Sequence, residues 1–336
     1  MSKYKYQSGF SPYFEGFVKA KEIVNLGTIQ YTKVFDEFDR FVVSQGYSGC
    51  ALTEELVSKW RSTRVNDSNK TLYGKMLVLV AFGKYLVHNG VPSFIPRVPN
   101  IKFDYDTPYI YSKEEMSRIF ESADSLRVND LYHYDVLHAI PSLLRVLYAT
   151  GMRIGETLAI KNKDVNFEKR IIVVEDTKNK MHKLMPINES LNKVLLQYYE
   201  FKCNLKMPDC DVESPEITFF CSLHGKKLQE ATIHGWFKRI LSMSGIPYIG
   251  GCKGPHIHHI RHTFAVHSLH KLVTSGEDIY SVMPVLSKFL GHKDLRGTER
   301  YVRLTHEIYP EINDIMSALT ADIYPKPKDN NHENVF

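Results

Sequence analysis

The densest group of side chains able to do chemistry lies at His256 and in the run HHIRHTFAVH, residues 258–267. His256, His258, His259 and His262 fall within seven residues, and His258 and His262 are four apart, on one helical face. That spacing suits two ligands of a zinc ion. The Glu that a hydrolytic HExxH site needs is missing, because positions 259 and 260 are His and Ile, and Cys252 has no second Cys beside it. No metal is therefore expected. Four other short segments mix charge with turn-forming or reactive residues: ATGMRIGE (149–156), DTKNKMHKLMPI (176–187), LGHKD (290–294) and ERYVRLT (299–305). Singly each says little. A His and an Arg three apart recur by chance, a lone Arg is commonly a surface ion pair, and one Tyr among 20 is commonly a packing residue.

Together and in this order, the five segments resemble the signature boxes of the tyrosine recombinase, or phage integrase, family. That family carries an Arg in an ATG-x-R motif, a Lys on a β-hairpin, H-x-x-R on a helix, L-G-H, and a Tyr nine residues after that last His. Here the pattern falls on Arg153, Lys178, His258 with Arg261, His292 and Tyr301. Lys178 precedes Pro186 by eight residues, as in the family's hairpin. The resemblance covers roughly residues 112 to 320, and more loosely the amino-terminal helices.

The resemblance implies an enzyme that breaks and rejoins DNA. Tyr301 would attack the phosphodiester and form a 3′-phosphotyrosine link, which conserves the energy of the broken bond, so neither ATP nor any other cofactor is expected. Arg153 and Arg261 would offset charge on the non-bridging oxygens, since a guanidinium stays charged and donates two parallel hydrogen bonds. Lys178 would protonate the departing 5′ oxygen, with Lys180 and Lys183 as close competitors on the same hairpin. His258 would share the tyrosine proton or bond the phosphate. His292 would bond the phosphate beside the nucleophile, and Glu156 would orient its neighbours. Family members with Trp or Lys at the histidine positions show that those roles tolerate substitution. His259 and His262 are expected to face DNA or to pack.

The implied partners are double-stranded DNA at specific sites and further copies of the chain: a tetramer in the synaptic complex, a monomer or dimer when free. Accessory DNA-bending proteins would be additional partners. The implied work is integration, excision or resolution of a mobile element. DNA relaxation of the type IB topoisomerase kind and non-catalytic DNA binding are the rival readings. A small helical domain and a short linker favour the first over relaxation, and a complete set of reactive residues disfavours the last.

The elements that must position these residues can be read from periodicity. The expected fold is mainly α with a small antiparallel β-sheet, in a two-domain arrangement: a helical domain over residues 1–95, a linker at 96–111, a catalytic α+β domain over 112–325 and a disordered polar tail at 326–336. Val34, Phe35, Phe38, Phe41 and Val42 predict one helix, Leu56, Val57 and Trp60 a second, and Leu72, Met76, Leu79, Phe82 and Leu86 a third. Lys59, Arg61, Arg64, Lys70 and Lys75 lie on and between the last two. They are either a solvated polar face or a phosphate-binding one. Gly90, Pro92, Pro96, Pro99 and Pro108 interrupt regular structure. Ser112 with Glu115 predicts a capping box, and Gly151 a helix end. Arg170–Val174 and Lys183–Ile187 predict a hairpin, Asn188 a helix cap, and Ile217–Phe220 a further strand. Ile308, Ile312, Ile315 and Leu319 form an apolar stripe that packs either on its own domain or on a neighbouring protomer.

Charge and composition agree with this outline. The chain carries a formal net charge of +5. Residues 1–100 hold 13 Lys and Arg against 8 Asp and Glu, so the amino-terminal third carries the whole excess. The five scattered cysteines argue against a disulfide framework, and no run approaches membrane-span length, so a cytoplasmic protein is expected.

Overall fold

In the computed structural model, residues 4–98, 107–127, 131–176, 181–204, 211–250, 254–292, 294–312 and 314–315 are described. The chain divides into two compact units, residues 1–106 and 107–336.

The first unit is built from α1 (Ser11–Ile23), α2 (Ile29–Ser44), α3 (Glu54–Ser62) and α4 (Asn69–His88). Its core is aromatic: Phe10, Phe14, Phe17, Phe35, Phe38, Trp60 and Phe82 are all buried. Phe14 stacks on Phe35 with ring centroids 4.5 Å apart. Thr53 and Ser68 start α3 and α4 by accepting from the backbone N–H groups of Leu56 and Thr71. The buried Asp39 carboxylate accepts from the backbone N–H groups of Gln7 and Ser8 and so ties the amino-terminal segment to α2. Helix α1 is not among the helices predicted above. Its apolar face is mostly Phe14 and Phe17, too few positions to stand out as a period.

The second unit opens with α5 (Lys113–Asp124), whose capping box joins Ser112 and Glu115 reciprocally. A 3₁₀ segment (Leu131–Ala139) leads into α6 (Ile140–Thr150). Gly151 ends α6 with φ of 61°. A Cβ there would also collide with the Phe264 ring, so two independent constraints demand glycine. The one-turn α7 (Ile154–Thr157) follows directly. The sheet contains β1 (Val165–Asn166), β2 (Ile171–Asp176) and β3 (Met181–Pro186) in that order, all antiparallel. Ile171 pairs with Pro186 and Val174 with Lys183, so the predicted hairpin is present. The predicted strand at 217–220 is not: Thr218 makes a single bridge to Lys161, and Phe219 donates to Ile160, because the segment runs beside irregular chain instead of a strand.

Then come α8 (Glu189–Asn204), α9 (Glu230–Met243), α10 (His258–Thr274), α11 (Ile279–Leu290) and α12 (Arg296–Ile308). Asn188 caps α8 through the Leu191 N–H at 2.8 Å. Two cores hold the unit. The larger gathers α5, α6, the sheet, α8 and α9, and the smaller joins α10, α11 and α12. Ile312 is fully buried in the smaller core and Ile315 packs against it, so these members of the carboxy-terminal stripe pack on their own domain; Leu319 and the tail from 326 lie outside the described residues. The fold is thus mainly helical with one small antiparallel sheet. Among the described residues no helix is long and apolar enough to cross a membrane.

Candidate active site

Four elements bring the predicted residues together: the turn between α6 and α7, strand β3, helix α10, and the α11–α12 connection. Arg261 is the junction. It is 3% exposed, and its two terminal nitrogens donate to the carbonyls of Gly151 and Leu290, each at 2.7 Å. One guanidinium therefore hooks the turn before Arg153 to the turn before His292. Its charge also borders Tyr301 and Arg153. Arg153 is the contrasting partner: its side chain is 47% exposed. Glu156 holds it by accepting from the Arg153 backbone N–H at 3.1 Å and from its guanidinium. Glu156, expected to orient its neighbours, is thus paired with Arg153.

Tyr301 lies on α12 and is 2% exposed. Its hydroxyl sits 2.8 Å from His262 Nδ1. The ring of His292 is stacked near Tyr301, with centroids 6.0 Å apart, and His292 Nδ1 bonds Thr298 Oγ1 at 2.7 Å. His258 begins α10, with its ring edge-on to His262 at 5.0 Å. His262 was expected to face DNA or to pack. It is buried, and it directly contacts Tyr301. The signal that could have found it is the helical spacing: His258, Arg261 and His262 occupy i, i+3 and i+4 of α10, one continuous face.

The electrostatics follow from burial beside cations. Burial raises the Tyr301 pKa, and Arg261, Arg300 and Arg153 pull against it, with a net rise. The phenol is therefore protonated at neutral pH. Burial first, and positive neighbours second, push His258 and His292 down to about 4 and His262 to about 2. All three rings are thus neutral near pH 7. A neutral His262 can accept the phenolic hydrogen bond, whereas an imidazolium could not.

Lys178 and its competitor Lys180 lie outside the described residues, as does Cys252. Lys183 is described, and it points at the site. Burial, and then Arg261 and Arg153, lower its pKa to about 8. Among the described residues no group of three or more His, Cys, Asp or Glu could hold a metal ion. Of the clustered histidines, His256 turns to His259 (Nδ1–Nδ1 3.0 Å) and His262 to Tyr301.

The five amino-terminal cations divide. Lys75 is withdrawn from the phosphate-binding set: its side chain is only 13% exposed, between Glu37 and Asp67. Arg64 pairs with Glu37 at 3.3 Å and Lys59 with Glu55 at 2.6 Å, while Arg61 and Lys70 are exposed.

Residues 111–307 match the phage integrase family. The integrase/recombinase y4rB of Sinorhizobium fredii is 28% identical over 206 residues, which span 61% of this chain and 64% of that protein. The tyrosine recombinase XerA of Pyrococcus horikoshii is 26% identical over 88% of each chain. Among solved structures, XerH site-specific recombinase bound to palindromic difH substrate, a post-cleavage complex, shares the fold with a TM-score of 0.63 at 20% identity, covering 91% of this chain and 84% of that one. With that match, and with the two arginines and the tyrosine converging as described, the chain belongs to the phage integrase family of tyrosine recombinases.

Proposed function

We propose that this protein is a site-specific recombinase that cuts and rejoins DNA strands through a phosphotyrosine at Tyr301, in the service of a mobile element. The observation that carries this reading is the placement of the Tyr301 hydroxyl beside Arg261, with His262 at 2.8 Å. A phosphate seated on the outer face of that cluster would meet the exposed Arg153 and the remaining donors of Arg261. Attack then forms the bond from the Tyr301 oxygen to phosphorus and breaks the bond to the 5′ oxygen. The phenolic proton passes to a neutral imidazole, His262 or through it His258, and Lys178 supplies a proton to the leaving oxygen. His292, fixed by Thr298, donates to a non-bridging oxygen. Rejoining is the reverse sequence with a new 5′ hydroxyl.

Partners follow from the same chemistry. Strand exchange between two duplexes requires four nucleophiles, hence a tetramer on DNA; a cytoplasmic location suits such work. Lys59, Arg61, Arg64 and Lys70 are proposed as phosphate contacts of the first unit, with Arg61 and Lys70 foremost because they are exposed and, among the described residues, form no ion pair, whereas Lys59 pairs with Glu55 and Arg64 with Glu37.

The test is covalent selection. The protein is incubated with nicked duplexes carrying randomised arms, and denaturant-resistant adducts are recovered and sequenced. A reproducible duplex, with adducts lost in Tyr301→Phe, supports the reading. Adducts that persist in Tyr301→Phe move the nucleophile elsewhere. Partner-free relaxation of any supercoiled plasmid would favour the topoisomerase-like alternative.

A further inference from the structure

Strand β3 places an amine where a strand facing a core ordinarily places an apolar group. Ile187 and Met185 are buried on its inner face, while Leu184 points outward with 63% exposure. Lys183 continues the inner row, opposite the buried Val174 of β2. Its ammonium lies over the Phe289 ring, 5.4 Å from the centroid. That ring sits on α11 one turn before the Gly291 bend that carries His292.

The groups that face this amine come from every element around it. Arg261 comes from α10, Arg153 and Glu156 from the turn into α7, and His292 from the α11–α12 connection. From β2 it meets the apolar Val174. Three cations therefore converge, and the nearby carboxylate, Glu156, is already engaged by Arg153. Among the described residues no acidic oxygen lies within 4.0 Å of the Lys183 amine. A lysine held this way has only the Phe289 ring and the shared Glu156 to set against burial and two guanidiniums until an anion arrives.

We infer that Lys183 is a third cation of the phosphate site, contacting the scissile phosphodiester beside Arg153 and Arg261 and acting separately from Lys178. This rests on the recombinase reading above. A strand-borne ammonium is fixed by β2–β3 pairing, which suits a group that must neutralise charge at one point. A leaving-group acid has a different task. The lowered pKa, about 8, means that the amine of the free enzyme is charged below that pH, ready for the phosphate, and loses its charge above it.

The test uses the duplex recovered by covalent selection, made with either the natural 5′ bridging oxygen or a 5′ bridging sulfur, which departs without a proton. Rates of adduct formation are compared for wild type, Lys183→Gln, Lys183→Arg and Lys178→Ala, with melting curves for each. Lys183→Gln is expected to slow adduct formation by about 100-fold on both substrates alike, the scale set by removing one donor to a developing oxyanion. Lys183→Arg should recover most of that loss and remove the decline above pH 8 that wild type shows at subsaturating protein. Lys178→Ala should be slow on oxygen and rescued by sulfur. Lys183→Gln at the wild-type rate would reduce the residue to packing and overturn the inference. Rescue of Lys183→Gln by sulfur would also overturn it, making Lys183 the acid. Equal slowness of Gln and Arg variants, both melting well below wild type, would leave only a structural role and reject the contact. Absence of any adduct from wild type would remove the recombinase reading and this inference with it.

Discussion

The two units of this chain solve opposite problems with similar means. The amino-terminal unit buries rings and, Lys75 apart, keeps cations such as Arg61 and Lys70 in solvent, while Phe14, Phe35, Phe82 and Trp60 fill the core. The catalytic unit buries polar and charged groups at its working end: Arg261, His259, His262 and Thr298 are all inside. A surface that merely grips phosphates can rely on cations in water. A site that must stabilise an extra charge on phosphorus needs its cations out of water, where each counts for more. The catalytic unit meets the cost of burying Arg261 by giving its nitrogens two backbone carbonyls.

The sharpest way to break this comparison is at the nucleophile. Tyr301→Phe is expected to remove the covalent DNA adduct completely, read on denaturing gels, while lowering stability by only about 1–2 kcal/mol, since it strands one His262 nitrogen. Next come two substitutions that should behave differently in the two units. Phe82→Ala should cost about 3–5 kcal/mol in denaturant unfolding, a cavity effect alone. Arg261→Lys should cost about 2–4 kcal/mol, by orphaning carbonyls at Gly151 and Leu290, and should also slow adduct formation by at least ~100-fold. An Arg261→Lys protein with normal melting would show that the tether is dispensable.

Acid should separate the units more gently. His258, His259, His262 and His292 have folded pKa values depressed to about 4, 3, 2 and 4 by burial and neighbouring charge. Below pH ~6.5 the unfolded chain binds protons that the folded chain refuses, so stability falls as pH drops from about 6.5 toward 4. Above that window these groups are neutral in both states and contribute no pH dependence. Residues 1–106 contain a single histidine, His88. The two tryptophans, Trp60 and Trp236, fall one in each unit and serve as separate reporters once the other is replaced by Phe. The Trp236 signal should be lost at higher pH than the Trp60 signal; coincident or reversed loss contradicts the assignment. The smallest effect is on salt. Arg61→Ala and Lys70→Ala should each reduce the slope of log affinity against log salt by about 1, whereas Lys75→Met should leave it unchanged.

Sequence patterns carried some of this further than others. The boxes around Arg153, Arg261, His292 and Tyr301 were legible because each is a short local string and the spacing between the last two is fixed. The capping box at Ser112 and the turn at Gly151 were legible because their causes are local. What escaped notice depends on contacts far apart in the chain. Nothing near Arg261 announces that its fork is spent on carbonyls 110 and 29 residues away. His262 looked like filler until α12 laid Tyr301 against it. Lys75 looked like its basic neighbours because its two acidic partners come from α2 and from the loop before α4. Strand β1 is two residues long and has no period to detect. Lys183 was weighed only as a hairpin lysine, because strand alternation distinguishes it only after the register with Val174 is known.

The double tether of Arg261 has a safety consequence for any cell that carries this protein. A chain emerging from the ribosome, or one partly melted, has no competent cutting centre until the loops after α6 and α11 have both been drawn onto α10. The same two bonds that finish the tertiary structure also seat the guanidinium that the proposed strand cleavage uses, so on that proposal a half-made copy lacks its cutting centre.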